Sequence, residues 1–287
     1  MPKVKQVWHY PAAIERDYRR ALNSYADRCG KAVTEYVIPE IDDVVAEANQ
    51  YRPDALRDTD EGEGWVARLN RALKRALSVL LGVDVTTSTD DPFAAVAQGV
   101  AEAVTPASIN PIQYAEQASD FNQRQFRKLM RKAYGIDVIK AEPWLRPALK
   151  AWEAQNLALI QSIPEQYVDQ LQGKIINAVQ AGRTSKEVQA LIRETYPVPK
   201  KRAALIADDQ IGKLNGQLTR LRQQAIGVKE YKWRGVLDSR ERPDHVAREG
   251  KTFSWSKPPP DGHPGQPIRC RCWPSAILPE LEDLDLT

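Results

Sequence analysis

The sequence predicts a predominantly α protein: a helical N-terminal region followed by a small α+β C-terminal module of short strands and long turns. Three observations carry this expectation. Apolar residues recur at spacings of three and four through almost everything before Val228. After Gly227 the pattern changes to strand-like alternation. The stretch from Tyr231 to Pro279 then gathers scarce residue types, with His245 and His263 among three histidines and Cys270 and Cys272 among three cysteines. At 287 residues, 42% hydrophobic and 28% charged, the chain has the composition of a globular protein with a sizeable core, and two modules are expected.

Tyr18, Leu22, Tyr25, Cys29, Val33 and Tyr36 share one face of a helix running from Pro11 to about Tyr51, with a kink or break at Pro39. Cys29 sits on that stripe and reads as a buried structural thiol. Residues 52–64 are polar and acidic, with Gly62 and Gly64 among them, and read as a loop. Val66, Leu69, Leu73, Ala76, Leu77 and Leu80 make an amphipathic helix of Trp65–Leu81, with Gly82 as its C-cap. Residues 83–91 read as a linker, and Phe93 to Val104 as another helix ended by Pro106.

Between Ser119 and Tyr134, Arg124, Arg127, Lys128, Arg131 and Lys132 fall at i, i+3, i+4, i+7 and i+8. They form one basic helical face, a candidate for contact with DNA phosphates. The plainer reading is the solvated side of a helix that buries Phe126, Leu129, Met130 and Ala133. A further helix is expected from Pro143 to Ser162, with Ile163-Pro164 opening the next, Glu165 to Gln180. Thr184 and Glu187 have the spacing of a capping box for a helix ending at Tyr196-Pro197. A long helix from Lys201 to Ile226 stops at Gly227.

In the C-terminal module, strands are expected at Tyr231–Leu237 and around Phe253–Trp255, with turns at Asp238–Arg240, Glu249-Gly250 and Pro258–Gly265. Trp233, Trp255 and Trp273 are the expected core of so short a fold. The acidic residues from Glu280 to Thr287 read as a tail that is loosely held or docks on a partner.

Several classes are excluded or weakened at this point. No apolar run approaches the roughly 18–20 residues needed to span a bilayer, and MPKVKQVWHY lacks the apolar core of a secretion signal. Synthesis in a reducing cytoplasm is expected. Three cysteines do not make a disulfide framework. A net charge of +3 is too small to argue for nucleic-acid binding by itself.

His245, His263, Cys270 and Cys272 are two imidazoles and two thiols, the donor set that Zn2+ prefers in a closed tetrahedral site. A structural Zn2+ would tie together the loops of a proline-rich module. Cys-x-Cys is a less usual spacing than Cys-x2-Cys, however. The competing reading has His245 capping a turn or pairing with Asp238, and the cysteines buried as small apolar groups.

The order of these residues is itself informative. Trp233, then Asp238-x-Arg240-x-Arg242-Pro243-x-His245, then Gly250 and Phe253, then Gly262-His263-Pro264 and Cys270-Arg271-Cys272 resemble the phage Mu F-like family of minor head, or head morphogenesis, proteins of tailed phages. The preceding ALIADDQIGKLNGQLTRLRQQAIGV resembles the helical stretch that leads into that motif. The resemblance divides the chain into a helical, portal-docking region at 1–163, a Mu F-like head morphogenesis domain at 164–279, and the acidic tail at 280–287. It implies a virion component of the capsid interior near the portal vertex, acting in head assembly or DNA delivery without catalytic turnover. Its implied partners are the portal protein, other capsid or scaffold proteins, and packaged DNA through non-specific contact. The chain would be made in the host cytoplasm, with no membrane partner before infection. Many relatives carry a cysteine pair where this chain has Arg242 and His245, so a cysteine-rich metal site does not transfer intact. A reading of another class takes the C-terminal module as a metal-dependent nuclease or toxin-like domain, with Asp238, His245 and His263 as base and ligands. It lacks a second acidic cluster near His245 beyond Asp244 and Glu249.

Overall fold

A computed structural model of the chain describes residues 4–50, 64–82, 109–136 and 141–284. The helix expected at Phe93–Val104, the linker at 83–91 and nearly all of the acidic loop at 52–64 lie outside these residues. The described chain is mostly helical, with one small sheet near its C-terminal end. Its helices are α1 (Ala12–Tyr36), α2 (Ile41–Gln50), α3 (Trp65–Leu81), α4 (Pro111–Tyr134), α5 (Leu145–Gln180), α6 (Ser185–Glu194) and α7 (Val198–Ala225), then a single turn, α8 (Pro243–Val246). The strands are β1 (Glu230–Arg234), β2 (Thr252–Ser254) and β3 (Trp273–Ala276).

Local chemistry accounts for most of the boundaries. Pro39 sits in a 3-10 turn, Ile38–Glu40, that separates α1 from α2. Gly82 ends α3 in the left-handed conformation, with its N–H donating to the Ser78 carbonyl. Thr184 and Glu187 form the reciprocal capping box at the start of α6. The two helices expected on either side of Pro164 are instead one 36-residue helix, α5. Pro164 cannot donate to the preceding turn, but Ile160, Ile163, Tyr167 and Val168 are all buried around it. Packing holds the helix through the missing hydrogen bond.

The chain divides into two compact units, and neither is a continuous run of sequence. One comprises Arg20–Asn110 and Leu157–Ala204. Its core is helical: Tyr25, Cys29, Val33, Ile41, Val44, Leu69, Leu73, Ile163, Leu171, Ile175, Val188 and Ile192 are all buried. Burial pushes the Cys29 thiol up to about 12, in keeping with an inert structural cysteine. Arg68 on α3 ties this helix to α2 and the turn before it through Glu47 and Glu40.

The other unit comprises Met1–Arg19, Pro111–Asn156 and Leu205–Thr287. Its sheet is antiparallel in the order β2-β1-β3, with Tyr231 opposite Phe253 on one side and Ala276 on the other. Tyr231, Trp233, Trp255, Ala276 and Leu278 pack with Phe126, Leu129 and Met130 of α4 and with Ile226 just past α7. Trp273, an expected core residue, is only half-buried. Leu284 is buried in the same cluster, so the acidic end is docked on its own unit as far as that residue.

Residues 4–10 are sewn to this unit as an extended segment. Val4 and Trp8 pack on the cluster, and the Gln125 side chain exchanges hydrogen bonds with the His9 backbone. The Gln6 amide donates to the Ala276 carbonyl at 2.7 Å and accepts from its N–H at 3.0 Å. Gln223 of α7 donates to the Pro274 carbonyl. Beneath the sheet unit, a fully buried Arg222 donates to Glu142, to Asn122 and to the carbonyl and hydroxyl of Ser119. Among the described residues, no helix is long and apolar enough to cross a membrane.

Candidate metal centre

β1 ends at Arg234, and the chain turns away through Gly235 into the Asp238–Arg242 loop. Asp238 caps this turn by accepting from Arg240 N–H at 3.0 Å. It also accepts from Arg271 at 2.6 Å, which ties the turn to the Cys270–Cys272 segment and holds the Asp238 carboxyl well below the usual carboxylate range. Arg242 donates to the Ile268 carbonyl, a second tie across the same gap. Pro243 starts α8 at a position that needs no N–H. That single turn carries His245 inward, where it is 2% exposed. Gly250, left-handed with φ 74, returns the chain to β1, where backbone hydrogen bonds join Gly250 to Trp233 and Trp233 to Lys251.

The opposite wall is the loop from Gly262 to Cys272, laid on the glycine face of α7. A Cβ at Gly216 would lie 2.8 Å from the Pro264 carbonyl oxygen, and one at Gly212 would lie 3.4 Å from the Cys270 carbonyl. Gly265, with φ 89, completes this close approach. Arg269, a non-glycine residue at φ 55, is held there by its N–H on Asp209 and its guanidinium on Asp208.

These two walls bring His245, Cys270 and Cys272 together, all buried, with their ligand atoms within 4.8 Å of one another. His245 Nδ1 lies 3.4 Å from Cys272 Sγ and 3.7 Å from Cys270 Sγ. Two ligands on one tetrahedral zinc, at the usual Zn–S and Zn–N lengths, stand about 3.5 Å apart. The measured separations bracket that value, so the three side chains fit a metal ion. On the far side of the ring, His245 Nε2 meets Asp261 Oδ2 at 2.9 Å, and Arg248 holds the other Asp261 oxygen at 2.5 Å. A carboxylate at Nε2 places the ring proton there and leaves Nδ1 as a lone pair facing the sulfurs. Trp233 packs edge-on against the imidazole at 5.1 Å between centroids.

The thiols are unequal. A hydrogen bond from Cys272 holds the Cys270 thiol below its ordinary value, against the effect of its burial and with help from the Gly265 N–H. Cys272, the donor, is pushed up. Of the two, Cys270 is the thiol whose thiolate, the species that binds metals, is the more favoured.

His263 takes other partners and is not in this group. Its Nδ1 is 2.8 Å from the Tyr231 hydroxyl, and its ring lies edge-on to Trp255. Tyr231 and the tryptophan draw it into the sheet's aromatic cluster, so the structure brings together three of the four expected ligands and places His263 apart from them. Asp238 pairs with Arg271 and Arg240, so Asp238, His245 and His263 do not converge as a nuclease centre would require. His245 pairs with Asp261 rather than Asp238. Phe253 stacks near Tyr231 and meets Trp233 edge-on, placing both motif aromatics in the core. On α4, Arg124, Lys128, Arg131 and Lys132 are exposed and Arg127 is half-buried, opposite the buried Phe126, Leu129 and Met130. Glu241 and Asp261, both touching the centre, were not picked out from the sequence.

The motif's architecture agrees with comparisons to known proteins. Residues 169–274 match the family described as Phage Mu protein F like protein. An uncharacterized protein of Haemophilus influenzae is 34% identical over 167 residues, covering 57% of this chain and 37% of the relative. The chain therefore spans well under half the length of that relative. No solved structure matches it. With the family match enclosing α6, α7, β1, β2, the start of β3 and the His245/Cys270/Cys272 group, this chain carries a Phage Mu protein F-like domain.

Proposed function

We propose that this chain is a minor capsid, or head morphogenesis, protein of a tailed phage, seated inside the head near the portal vertex and acting in head assembly, DNA delivery or both. The observation that carries this reading is the family match over residues 169–274, on a fold whose motif residues serve to build a module. Asp238, Arg242 and Gly250 close loops, and Trp233 and Phe253 fill the core. The reading is structural, with the helical part of the chain docking the portal or scaffold proteins. Arg124, Lys128 and Arg131 are exposed, with the half-buried Arg127 beside them, and in this reading they would meet packaged DNA without reading its sequence. Co-expression with the portal protein should give a complex on size exclusion, and purified proheads or virions should contain the chain. Absence from both particles defeats the proposal.

The same module would take a structural Zn2+ at His245, Cys270 and Cys272, tying the turn after β1 to the loop before β3. Elemental analysis should find one zinc per chain, and a chelator should lower the melting temperature. A metal-free protein whose melt ignores chelator would remove this part of the reading.

A further inference from the structure

A closed structural zinc site has four protein ligands, and the buried group supplies three. Around it, a shallow depression is lined by Arg240, Arg242, Arg269 and Arg271, with Glu241 as its one carboxylate. The Cys272 thiol donates to Glu241 Oε1 at 3.1 Å, so the carboxylate meets the group at one sulfur; it stands outside the three ligand atoms that lie within 4.8 Å of one another, and coordination would replace the thiol proton and draw it inward. Its orientation is set by the backbone: the Leu237 N–H donates to Oε2, leaving Oε1 toward the sulfur. Leu237 reaches that position with φ 58, a conformation unfavourable for leucine. The carboxylate lies directly against Gly235, where a Cβ would collide with it. A glycine, a left-handed leucine and a backbone donor therefore converge on placing one carboxylate oxygen beside the group.

We propose that Glu241, through Oε1, is the fourth ligand of a zinc site completed by His245 Nδ1, Cys270 Sγ and Cys272 Sγ. The proposal rests on the metal reading above and names the group that closes it. Charge supports it as well. One Zn2+ with two thiolates and a neutral imidazole is uncharged, whereas adding a carboxylate leaves one negative charge. Of the arginines around the depression, Arg240 and Arg271 are engaged by Asp238 and Arg269 by Asp208, while Arg242 donates to the neutral Ile268 carbonyl and brings positive charge that such a site would meet. Asp261, braced by Arg248, completes the outer shell by orienting His245. His263, held by Tyr231, takes no part.

The test uses the full chain under reducing conditions, with Co2+ as the spectroscopic probe and Zn2+ in competition. Wild type should bind one Co2+ with thiolate charge-transfer bands and the intense d–d bands of tetrahedral coordination. Glu241→Gln should keep the charge transfer, lose d–d intensity as water enters, and weaken Zn2+ binding by more than about 100-fold, beyond the loss typical of an outer-shell partner. Gly235→Ala keeps the carboxylate but displaces it, and should weaken binding in the same direction. His263→Gln should leave both readouts unchanged. Zinc X-ray absorption of the wild-type protein should show two sulfurs and a single imidazole, a measurement independent of any variant's folding. Wild-type affinity and spectrum in Glu241→Gln, with binding lost in Cys270→Ser, would overturn the fourth ligand and leave the three-residue site standing. Two imidazoles around zinc would also overturn it. A wild-type chain that takes no metal would overturn the underlying reading itself.

Discussion

His263 and Gly216 show how single residues acquire roles that spacing does not announce. Burial, and then Arg220, hold His263 below its ordinary value near 6.5. The unfolded chain therefore takes up a proton that the folded chain refuses. This contribution to stability is complete above the unfolded value and is lost as pH falls through it toward the folded one. The melting temperature should drop as pH falls below about 6.5, and the drop should be shallower in His263→Gln. An identical pH slope in the two proteins would contradict this. Gly216 is a steric requirement: its missing Cβ admits the Pro264 carbonyl. Gly216→Ala should cost on the order of 1–3 kcal/mol in urea denaturation, since backbone on both sides must move. The sequence made His245, Cys270 and Cys272 legible as a group because rare donors clustered there. It also drew in His263, because proximity along the chain does not reveal that Tyr231 and Trp255 compete for the ring. Asp261 and Glu241 stayed hidden because carboxylates are common in loops and only the fold singles them out.

The helices were readable where their ends carry chemistry. Thr184 and Glu187 bond each other's backbone as their spacing implied, and the exposed Glu187 carboxyl is held low by the Thr184 N–H. Thr184→Ala should cost about 1 kcal/mol of stability, measured by chemical denaturation. Loss of the cap should also remove Glu187's share of the stability that fades as pH falls through its lowered folded value. Pro164 misled for the opposite reason. A proline is a strong local stop signal, but four buried neighbours in α5 outweigh one absent hydrogen bond. β3 escaped notice because its sequence, WPSA, contains a proline. Such a strand is permitted only where the missing N–H faces outward at a sheet edge, which is a property of topology and not of the segment.

At the scale of the molecule, the fold class was legible from periodicity, whereas the interleaving of segments in each unit was not. Local pattern contains no information about which distant helices share a core. Arg222 illustrates this. In sequence it is one more arginine on a long helix, but in the fold it is buried and joins α7 to Ser119 and Asn122 of α4 and to Glu142. Arg222→Ala should cost roughly 3–5 kcal/mol, because Glu142 and the Asn122 carbonyl lose their donor together. A denaturation midpoint unchanged from wild type would refute it.

The outer margin of β3 also bears on how copies of this chain behave together. Pro274 offers no N–H, its carbonyl is taken by Gln223, and both backbone groups of Ala276 are taken by Gln6. The row of unpaired amides that ordinarily recruits a neighbouring chain is thus sealed on this side from within the protein. Head-to-head polymerisation through the sheet is left to β2, which is three residues long. Residues 4–10 therefore act as a guard against aggregation as well as a packing element, and expression variants that remove them should precipitate before they unfold.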